Sequence, residues 1–561
     1  MNLRILTYFI FHWLLISTVF GQSGYLDPSF ADEGIMTWNV SGKQDNGHGI
    51  GVQSDGKIVV ASSGEFFDIF GFNIGVVRLT EDGNIDSTFA DNGRFLFGDE
   101  FSSGFIYHLE VLADDKILVA GGYSVDGSLN QELIIIKLLA DGTPDTSFGD
   151  DGVVLQQIDD GEDYIHSFVI DYKDRIVAGG TCNIAGSVYS KNFVARFEPN
   201  GIVDTSFADN GVFIWNDNDN YNDVWDVAVS EDRAIFASGR GKPFGTNRLS
   251  VYKILEDGSS LDSTFADNGE LFAPFQGTAY GMVIHSNGNI LITGPNYNVN
   301  GADLVVLAYH QDGTANTDFG QDGVFMIDVN ANDIGLNLIE QPDGKIIAFG
   351  ESGGQLFSPP PRAFFSVRMD EDGIIDETWG DQGYVVTETG WMAWASDATI
   401  QDDGKILLAG LSAEDNNDLQ VVRYGNFIDT DMDGYGMEED CNDLVFEINP
   451  GAEEIANNGI DEDCDGMDLL VSNANVEKEI DVIIYPNPVE GELLIKLPEI
   501  NQEVISIEII DGSGKTALPA SRPVFNQDPT IRINMADLPS GLYLISIHTS
   551  SGIINKRVVK S

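Results

Sequence analysis

The sequence is poor in basic residues, in cysteine and in long apolar runs. Only 29 Lys and Arg stand against 90 Asp and Glu, which gives a formal net charge of −61. DNA, RNA and anionic lipid headgroups need a basic footprint, so this charge argues against all three as partners. The same excess of carboxylates favours divalent cations wherever Asp and Glu cluster.

Long apolar runs are confined to the N-terminus. Residues 5–16 are almost wholly apolar, Arg4 supplies a positive end, and Val19 and Gly21 are small enough to flank a cleavage point. The run is short for a membrane span, and no second one follows. We therefore expect residues 1–21 to be an export signal and the mature chain to lie outside the inner membrane without a membrane span.

The three cysteines fit an oxidising compartment. Cys441 and Cys464 flank an acidic segment and are predicted to form a disulfide, which would stabilise by about 3 kcal/mol through loop closure. Cys182 has no obvious partner and is expected to be a small buried hydrophobe.

Local signatures of catalysis are also missing. The sequence has no GxSxG elbow, HExxH pair or Walker loop, and no context for a cysteine nucleophile. We therefore assign no catalytic residue. A pair of carboxylates converging in space would leave no such signature.

What the sequence does contain is one eight-residue turn, repeated seven times. Its fourth residue is Phe or Trp and its last is Gly, as in the copy DSTFADNG. Between starts lie 59, 59, 59, 58, 54 and 60 residues, a period typical of stacked supersecondary units. The turns begin at Asp27, Asp86, Asp145, Asp204, Asp262, Asn316 and Asp376.

Each period reads as four strands, with an Asp-Gly type hairpin such as Ser54-Asp55-Gly56 between the second and third. No helical period competes between residues 27 and 424. Seven such units predict an all-β, seven-bladed β-propeller over residues 22–425, with the repeated turn as the connection between blades. An open β-solenoid is the alternative. The repeats resemble the delta-60 repeat family of bacterial secreted proteins, which implies a propeller-like fold and no known reaction.

Loops on the face opposite these turns vary from copy to copy, and variable loops on a rigid scaffold commonly bind ligands. They contain aromatic residues beside acidic ones, a combination that suits sugar rings or a protein partner. The aromatic residues are Phe66, Phe67, Tyr123, Tyr189, Tyr221, Trp225, Tyr297, Phe357, Trp391 and Trp394, and the acidic ones are Asp159, Asp160, Asp163, Asp217 and Asp219.

Two histidines, His48 and His166, share one repeat position when the copies are aligned on Lys57 and Arg175. The other copies are predicted to place Tyr107, Val224, Tyr280, Leu336 and Ser396 there. This mixture does not support a ring of metal ligands, so we interpret both histidines as ordinary strand residues.

Residues 426–467 form a short Asp-rich segment. Oxygen donors at Asp429, Asp431, Asp433 and Asp440, with the Tyr435 carbonyl, match the spacing of a twelve-residue Ca²⁺ loop, although its last position is Asp instead of Glu. Asp461, Asp463 and Asp465 supply a second group. Oxygen donors alone favour Ca²⁺ over transition metals. The segment resembles the MopE-like metal-binding motif of secreted proteins.

The C-terminal part begins with a polar linker, residues 468–480. Alternating apolar residues in 481–561 then predict a β-sandwich with an Ig-like fold. This module resembles the type A C-terminal sorting domain of the type IX secretion system of Bacteroidetes. The resemblance implies export through that machinery, followed by attachment to the cell surface or release. It is carried by Tyr485, Pro486, Asn487, Pro488, Gly541, Tyr543, Lys556 and Arg557.

Together these features predict a secreted or surface-displayed, non-enzymatic binding protein that presents the variable face of its propeller to a glycan or a protein. An extracellular carbohydrate-active enzyme, a hydrolase or lyase built on the propeller, is the alternative, because fold does not determine function.

Overall fold

The structure is a computed structural model of the chain. It describes residues 23–39, 43–65, 73–98, 102–125, 130–183, 189–215, 222–241, 246–354, 361–413, 417–425, 441–442, 445, 447–452, 454–455, 458–464, 466, 482–496, 504–511, 514–521, 530–549 and 552–561. All its regular elements are β-strands. None of these residues belongs to a helix that could cross a membrane.

Strands β1–β28 lie between residues 35 and 424 and form four-stranded antiparallel units, each given below from its inner to its outer strand. A single parallel pair, Ala302↔Asn332, joins two of these units into one eight-stranded sheet. Unit 1 contains β2 (Asp45–Val52), β3 (Ile58–Gly64), β4 (Asn73–Leu79) and β5 (Arg94–Phe97). Unit 2 contains β6 (Ser103–Val111), β7 (Ile117–Ser124), β8 (Glu132–Leu138) and β9 (Val153–Gln156). Unit 3 contains β10 (Asp163–Ile170), β11 (Ile176–Asn183), β12 (Ser190–Phe197) and β13 (Val212–Trp215).

The remaining units repeat this order. Unit 4 contains β14 (Asp223–Val229), β15 (Ile235–Gly241), β16 (Arg248–Ile254) and β17 (Glu270–Gln276). Unit 5 contains β18 (Gly281–Ile284), β19 (Ile290–Asn298), β20 (Gly301–Tyr309) and β21 (Val324–Ile327). Unit 6 contains β22 (Asn332–Glu340), β23 (Ile346–Gly353), β24 (Ala363–Met369) and β25 (Tyr384–Thr387). Unit 7 contains β26 (Met392–Ile400), β27 (Ile406–Ala413), β28 (Asn417–Tyr424) and, as its outer strand, β1 (Ile35–Trp38).

The placement of β1 closes the propeller. This strand follows the first repeated turn, yet it pairs with β28, nearly 400 residues later, from Ile35↔Val422 to Trp38↔Leu419. The open solenoid is therefore excluded. The predicted role of the repeated turn is also wrong: it joins the third and outer strands of one unit and does not connect two blades. The sequence repeat and the structural unit are out of phase by one strand.

The repeated turn, which we call the corner, is held by its first Asp. In the second copy, one carboxylate oxygen of Asp86 accepts hydrogen bonds from the Thr88 backbone N–H (3.0 Å) and hydroxyl (2.5 Å). The other oxygen pairs with Arg78 of β4 at 2.8 Å. Asp204 is the first residue of the fourth corner. Burial alone raises its pKa, but the corresponding contacts from Ser206 and Arg196 outweigh burial and hold that pKa at about 2.

The aromatic residue of each corner packs on the neighbouring unit. Phe30 is fully buried and lies against Gly83, where a Cβ would come within 2.7 Å of the Phe30 ring. The φ of +80° at Gly83 favours glycine as well. The guanidinium of Arg423 lies 4.6 Å from the centre of the Phe30 ring. Burial of such rings, with a cation over the face, stabilises the contact between units.

A ring of hydrogen bonds runs from corner to corner. In each copy the backbone N–H of the fifth corner residue donates to a carbonyl in the following unit at 2.7 to 2.9 Å. The last bond returns to the N-terminal segment, from Gly380 N–H to the Ser23 carbonyl. The pairs are Ala31–Asp82, Ala90–Asp141, Gly149–Asn200, Ala208–Asp257, Ala266–Asp312, Gly320–Asp372 and Gly380–Ser23.

The chain divides into two compact parts: residues 1–454 with 460–467, and residues 455–459 with 468–561. The second part contains two sheets that share one apolar core, as a β-sandwich does. One sheet has β29 (Ile483–Tyr485), β30 (Glu492–Lys496) and β33 (Thr530–Asn534). The other has β31 (Val504–Asp511), β32 (Thr516–Ser521), β34 (Gly541–Thr549) and β35 (Gly552–Lys560). The Ig-like assignment stays a prediction.

Replacement of one corner ring tests how much these contacts contribute to stability. Phe207 is fully buried, packs on Gly258 and lies 4.5 Å from the Arg196 guanidinium carbon. We expect Phe207→Ala to lower the free energy of unfolding by about 3–5 kcal/mol in guanidinium titrations, because it leaves a cavity between units 3 and 4. Ile202→Ala, at a residue 62 % exposed, is the control. A loss below about 1 kcal/mol for Phe207→Ala would contradict the role of the corner.

Candidate functional site

The inner strands carry a β-bulge at one shared position. Register shifts occur in β2, β6, β10, β14, β22 and β26, and in each the extra residue has no partner opposite it on the next strand. In unit 5, Tyr280 takes the same place immediately before β18. A bulge re-aims a side chain locally. The seven bulge residues are His48, Tyr107, His166, Trp225, Tyr280, Leu336 and Ser396, and all are half-buried.

These seven side chains line a cavity of about 450 Å³ on the propeller axis. That volume suits a small ligand or the end of a larger one. Glu351 and Arg362 also line it and come from the ends of β23 and β24 that carry the variable loops, so the cavity belongs to that face. The other lining residues are His108, Ser167, Asp226, Ile334, Asn337, Trp394 and Asp397.

One side of the cavity is a continuous wall of aromatic rings. His166 stacks on Trp225 with ring centres 4.4 Å apart and planes 9° apart. The ring centre of Tyr107 lies 4.9 Å from that of His166, edge to face, and 5.9 Å from that of His48 in a tilted contact. Trp225 meets Tyr280 edge to face, with ring centres 5.1 Å apart. Five of the seven units thus contribute one ring each to a single surface.

The histidines of this wall are neutral at physiological pH. Burial lowers the pKa of His48 to about 4 and lowers that of His166 as well. Nδ1 of His166 lies 2.6 Å from the Val224 carbonyl oxygen, which only accepts, so Nδ1 carries the proton and Nε2 is an acceptor. Two buried polar atoms of the wall have no hydrogen-bond partner: Nε2 of His48 and the indole Nε1 of Trp225.

The carboxylates of the cavity, in contrast, are engaged in the fold. Asp226 accepts from the Ser167 hydroxyl (2.6 Å) and the backbone N–H of Val227 (2.8 Å) and Met282 (2.8 Å). Asp226 therefore links units 3, 4 and 5.

Asp397 follows the bulge of unit 7 and links this last unit to unit 1. It accepts from the backbone N–H of Ile50 at 3.0 Å and of Ala398 at 2.9 Å. In unit 6 the equivalent residue is Asn337, which accepts from the Leu338 N–H at 2.8 Å. At the mouth, Glu351 is held by Arg362 through both carboxylate oxygens, at 3.1 and 2.9 Å.

Two interpretations from the sequence need correction. His48 and His166 are not ordinary strand residues, because the bulges turn both into the cavity wall. Trp225, not Val224, occupies the shared position of unit 4. The residue equivalent to Lys57 there is Ala234, which directly precedes β15 as Lys57 precedes β3, whereas the basic residue Arg233 stands one place earlier. Val224 is fully buried in the core between units 3 and 4.

The other aromatic residues predicted for the variable face are spread over several environments. Trp394 lines the cavity, whereas Tyr123 is buried against Phe97 in the core. Tyr189, Tyr297 and Trp391 are exposed. Asp159 pairs with Lys191, and Asp163 is buried. Phe66, Phe67, Tyr221, Phe357, Asp217 and Asp219 lie outside the described residues.

In the acidic segment, carboxylate oxygens of Glu454, Asp461 and Asp463 lie within 4.8 Å of one another. The predicted disulfide joins Cys441 to Cys464 beside them. Glu454 was not predicted, although Glu453-Glu454 follows the motif's Pro-Gly-Ala and could have been considered. The remaining predicted ligands, Asp429, Asp431, Asp433, Tyr435, Asp440 and Asp465, lie outside the described residues.

The residues that suggested a sorting domain occupy two places in the sandwich. Asn487 accepts from the Val559 N–H at 2.8 Å and donates to the Arg557 carbonyl at 3.2 Å, which ties the Tyr-Pro-Asn-Pro loop to β35. Tyr543 is buried and donates to the Pro539 carbonyl at 2.8 Å. The exposed members are Tyr485, Pro486, Asn487, Pro488, Gly541, Lys556 and Arg557.

Three family models match parts of the chain. Residues 53–89, 112–148 and 174–207 match a β-propeller domain of unknown function, DUF5122. Residues 440–468 match the metal-binding motif family Cu-binding MopE, and residues 483–561 match the secretion system C-terminal sorting domain. The chain thus carries delta-60-like propeller repeats, a MopE-like metal-binding motif and a type IX sorting domain. The sorting domain marks it for export, either to the outer cell surface or into the medium.

No curated protein matches the chain. Among solved structures, it is similar to PorZ, a surface component of the type IX secretion system of Porphyromonas gingivalis, with 11 % identity and a TM-score of 0.26 over 92 % of this chain and 81 % of that one. It is also similar to the polysaccharide lyase Uly1, with 10 % identity and a TM-score of 0.40 over 67 % and 90 %. It is similar as well to Sqt1 of Chaetomium thermophilum, with 10 % identity and a TM-score of 0.39 over 69 % of this chain and 98 % of that one. Likeness at this level carries no argument about function.

The links between units make the stability of the propeller depend on pH. Burial raises the pKa of Asp397 to about 7, against the two backbone N–H groups that lower it. A carboxyl group whose pKa is raised on folding stabilises fully at low pH, and that contribution is lost as pH rises through the folded pKa. Relative to Asp397→Asn, we expect the native chain to lose up to about 1.4 kcal/mol per pH unit between about pH 4 and 7.

The measurement is urea unfolding at a series of pH values. Asp402→Asn, at an exposed hairpin residue of the same unit, is the matched control and should follow the native curve. Parallel curves for the native chain and Asp397→Asn would contradict the assignment.

Proposed function

We propose that the propeller is a non-enzymatic binding module that holds an uncharged glycan in its axial cavity. The observation that carries this proposal is the aromatic wall formed by His48, Tyr107, His166, Trp225 and Tyr280. Pyranose rings present C–H groups that pack on aromatic surfaces.

Charge favours an uncharged ligand. The histidines are neutral, and Arg362 at the mouth is neutralised by Glu351. The cavity lining therefore offers a uronate or sulfate no cation that is not already paired. Binding is favoured over hydrolysis because both axial aspartates are engaged by donors of the fold, whereas glycosidases need two carboxyl groups that face the substrate.

Glycan binding can be measured on the full chain with an array of uncharged gluco-, xylo-, manno-, galacto- and chito-oligosaccharides, followed by calorimetry. We expect Trp225→Ala to weaken binding at least tenfold, about 1.4 kcal/mol, since it removes the centre of the wall. Trp391→Ala, an exposed tryptophan outside the cavity, should bind as the native chain does. Binding of uronates alone, or an unchanged affinity in Trp225→Ala, would contradict the proposal.

A lyase is the second candidate, favoured by the contact between Tyr107 and the neutral His166. In β-elimination a neutral histidine can take the proton next to a uronate carboxylate while a tyrosine protonates the leaving oxygen. Incubation of the full chain with alginate and polygalacturonate decides this candidate. Ultraviolet absorption by an unsaturated product, lost in His166→Ala, would support a lyase over the binding module.

For the acidic segment we propose Ca²⁺ as the bound metal. Glu454, Asp461 and Asp463 offer oxygen donors only, which hard cations prefer, whereas copper sites commonly use nitrogen and sulfur. The disulfide Cys441–Cys464 restrains the segment that carries these donors. Asp429, Asp431, Asp433, Asp440, Asp465 and the Tyr435 carbonyl remain the further proposed ligands.

Calorimetry of the full chain should give a dissociation constant for Ca²⁺ on the order of 10⁻⁴–10⁻³ M, as in other extracellular modules. We expect the double variant Glu454→Gln/Asp461→Asn to lose this binding, because it removes two anionic ligands. Glu447→Gln, in the same segment and outside the cluster, should retain it. Unchanged Ca²⁺ heat in the double variant would overturn the assignment.

A further inference from the structure

A second cavity of about 520 Å³ lies beside the axial one, and Tyr280 lines both. Its other walls come from units 4 and 5. Arg240 lies near the end of β15, Gln276 ends β17, and Tyr297 lies near the end of β19. These are the strand ends that carry the variable loops, so both cavities belong to the same face.

The two cavities differ in chemistry. The axial cavity is walled by aromatic rings, whereas the side cavity is lined mainly by amide and hydroxyl groups, among them those of Asn247, Gln276 and Thr278. Its one charged lining residue, Arg240, is paired with Asp223. The Tyr297 side chain interacts with Tyr280 and is 42 % exposed. This arrangement suits a solvated part of a ligand that is held by hydrogen bonds along one edge.

The inner strands restrict how a polymer can enter. Seven inner-strand positions surround the axial cavity, so an internal segment of a chain can lie across the mouth but cannot fill it. A linear chain can therefore enter the axial cavity only with its end first. When the end of a sugar chain occupies the axial cavity, the next residues of that chain can pass across Tyr280 into the side cavity.

We propose that Tyr280 divides a two-part site: the axial cavity takes the terminal residue of a linear, uncharged oligosaccharide, and the side cavity takes the residues that follow. This inference rests on the proposed glycan binding. It adds the direction in which the sugar chain lies in the site and the dependence of affinity on chain length. The protein would then recognise chain ends and would ignore the interior of a polymer.

The test is calorimetry of the full chain with cello-, laminari-, xylo-, manno- and chito-oligosaccharides from one to six residues. For the series that binds, affinity should rise at least tenfold from the monosaccharide to the tetrasaccharide and then level off. Tyr297→Ala and Gln276→Ala should remove most of this gain and change monosaccharide affinity less than twofold. Trp225→Ala should weaken every length, and Tyr189→Ala, an exposed tyrosine lining neither cavity, should change nothing.

The outcomes separate the two claims. If affinity is independent of length while Trp225→Ala still abolishes binding, the side cavity is not a subsite and the glycan proposal stands. If affinity rises with length equally in Tyr297→Ala, Gln276→Ala and the native chain, the chain leaves by another route and this inference is overturned. If neither these five series nor galacto-oligosaccharides bind, both claims are overturned. Circular dichroism of each variant confirms that it is folded.

Discussion

The propeller depends on the contact between one corner and the next unit. At six of the seven corners a buried ring lies against a glycine of the neighbour, and at the remaining one Gly313 lies against Ala266. At every corner a backbone N–H donates to a carbonyl of the neighbour. In four units an arginine of the third strand also pairs with the corner aspartate at 2.7 to 2.9 Å. Because every unit both gives and receives this contact, the last must return to the first. The bond from Gly380 to Ser23 and the pairing of β1 with β28 complete that return.

The axial cavity follows from a second repeated device. A bulge in the inner strand directs one side chain per unit toward the axis, and at three units the next residue is an Asp or Asn that accepts backbone N–H groups. At Asp226 and Asp397 it also receives an N–H from a neighbouring unit. The two carboxylates are therefore engaged in hydrogen bonds that hold the units together, and the aromatic bulge residues form the surface of the cavity. This division of roles is the physical reason to favour binding over catalysis at the axis.

Much of the fold could be predicted because its signals are local. The Asp–Ser–Phe corner, the Asp-Gly hairpin and the alternating apolar strands each act over a few residues, and each lies where the pattern placed it. The partner of β1 could not be predicted in this way, since its pairing spans almost the whole propeller. The exchange of Trp225 for Val224 arose because Arg233 occupies the positive-φ turn position that Gly56 has in unit 1, one place before the equivalent of Lys57. Aligning the copies on this basic residue moves the register by one residue and therefore reverses which side chain faces the axis.

The candidate site was only partly visible in the sequence. Cys441, Cys464, Asp461 and Asp463 were found because a known motif fixes their spacing, whereas Glu454 comes close to the two aspartates only through the folded segment. The aromatic wall was not predicted from the sequence, for a different reason. A bulge changes the direction of a side chain without changing residue type or apolar alternation, so His48 and His166 resembled ordinary strand residues.

The central claim is that the aromatic wall on the propeller axis receives the end of an uncharged sugar chain. A crystal structure of the full chain, grown with the tightest-binding oligosaccharide of the array, tests it most directly. We expect electron density for a terminal sugar ring against Trp225 and Tyr280. Sugar density on another surface, with the axial cavity filled by water alone, would contradict it.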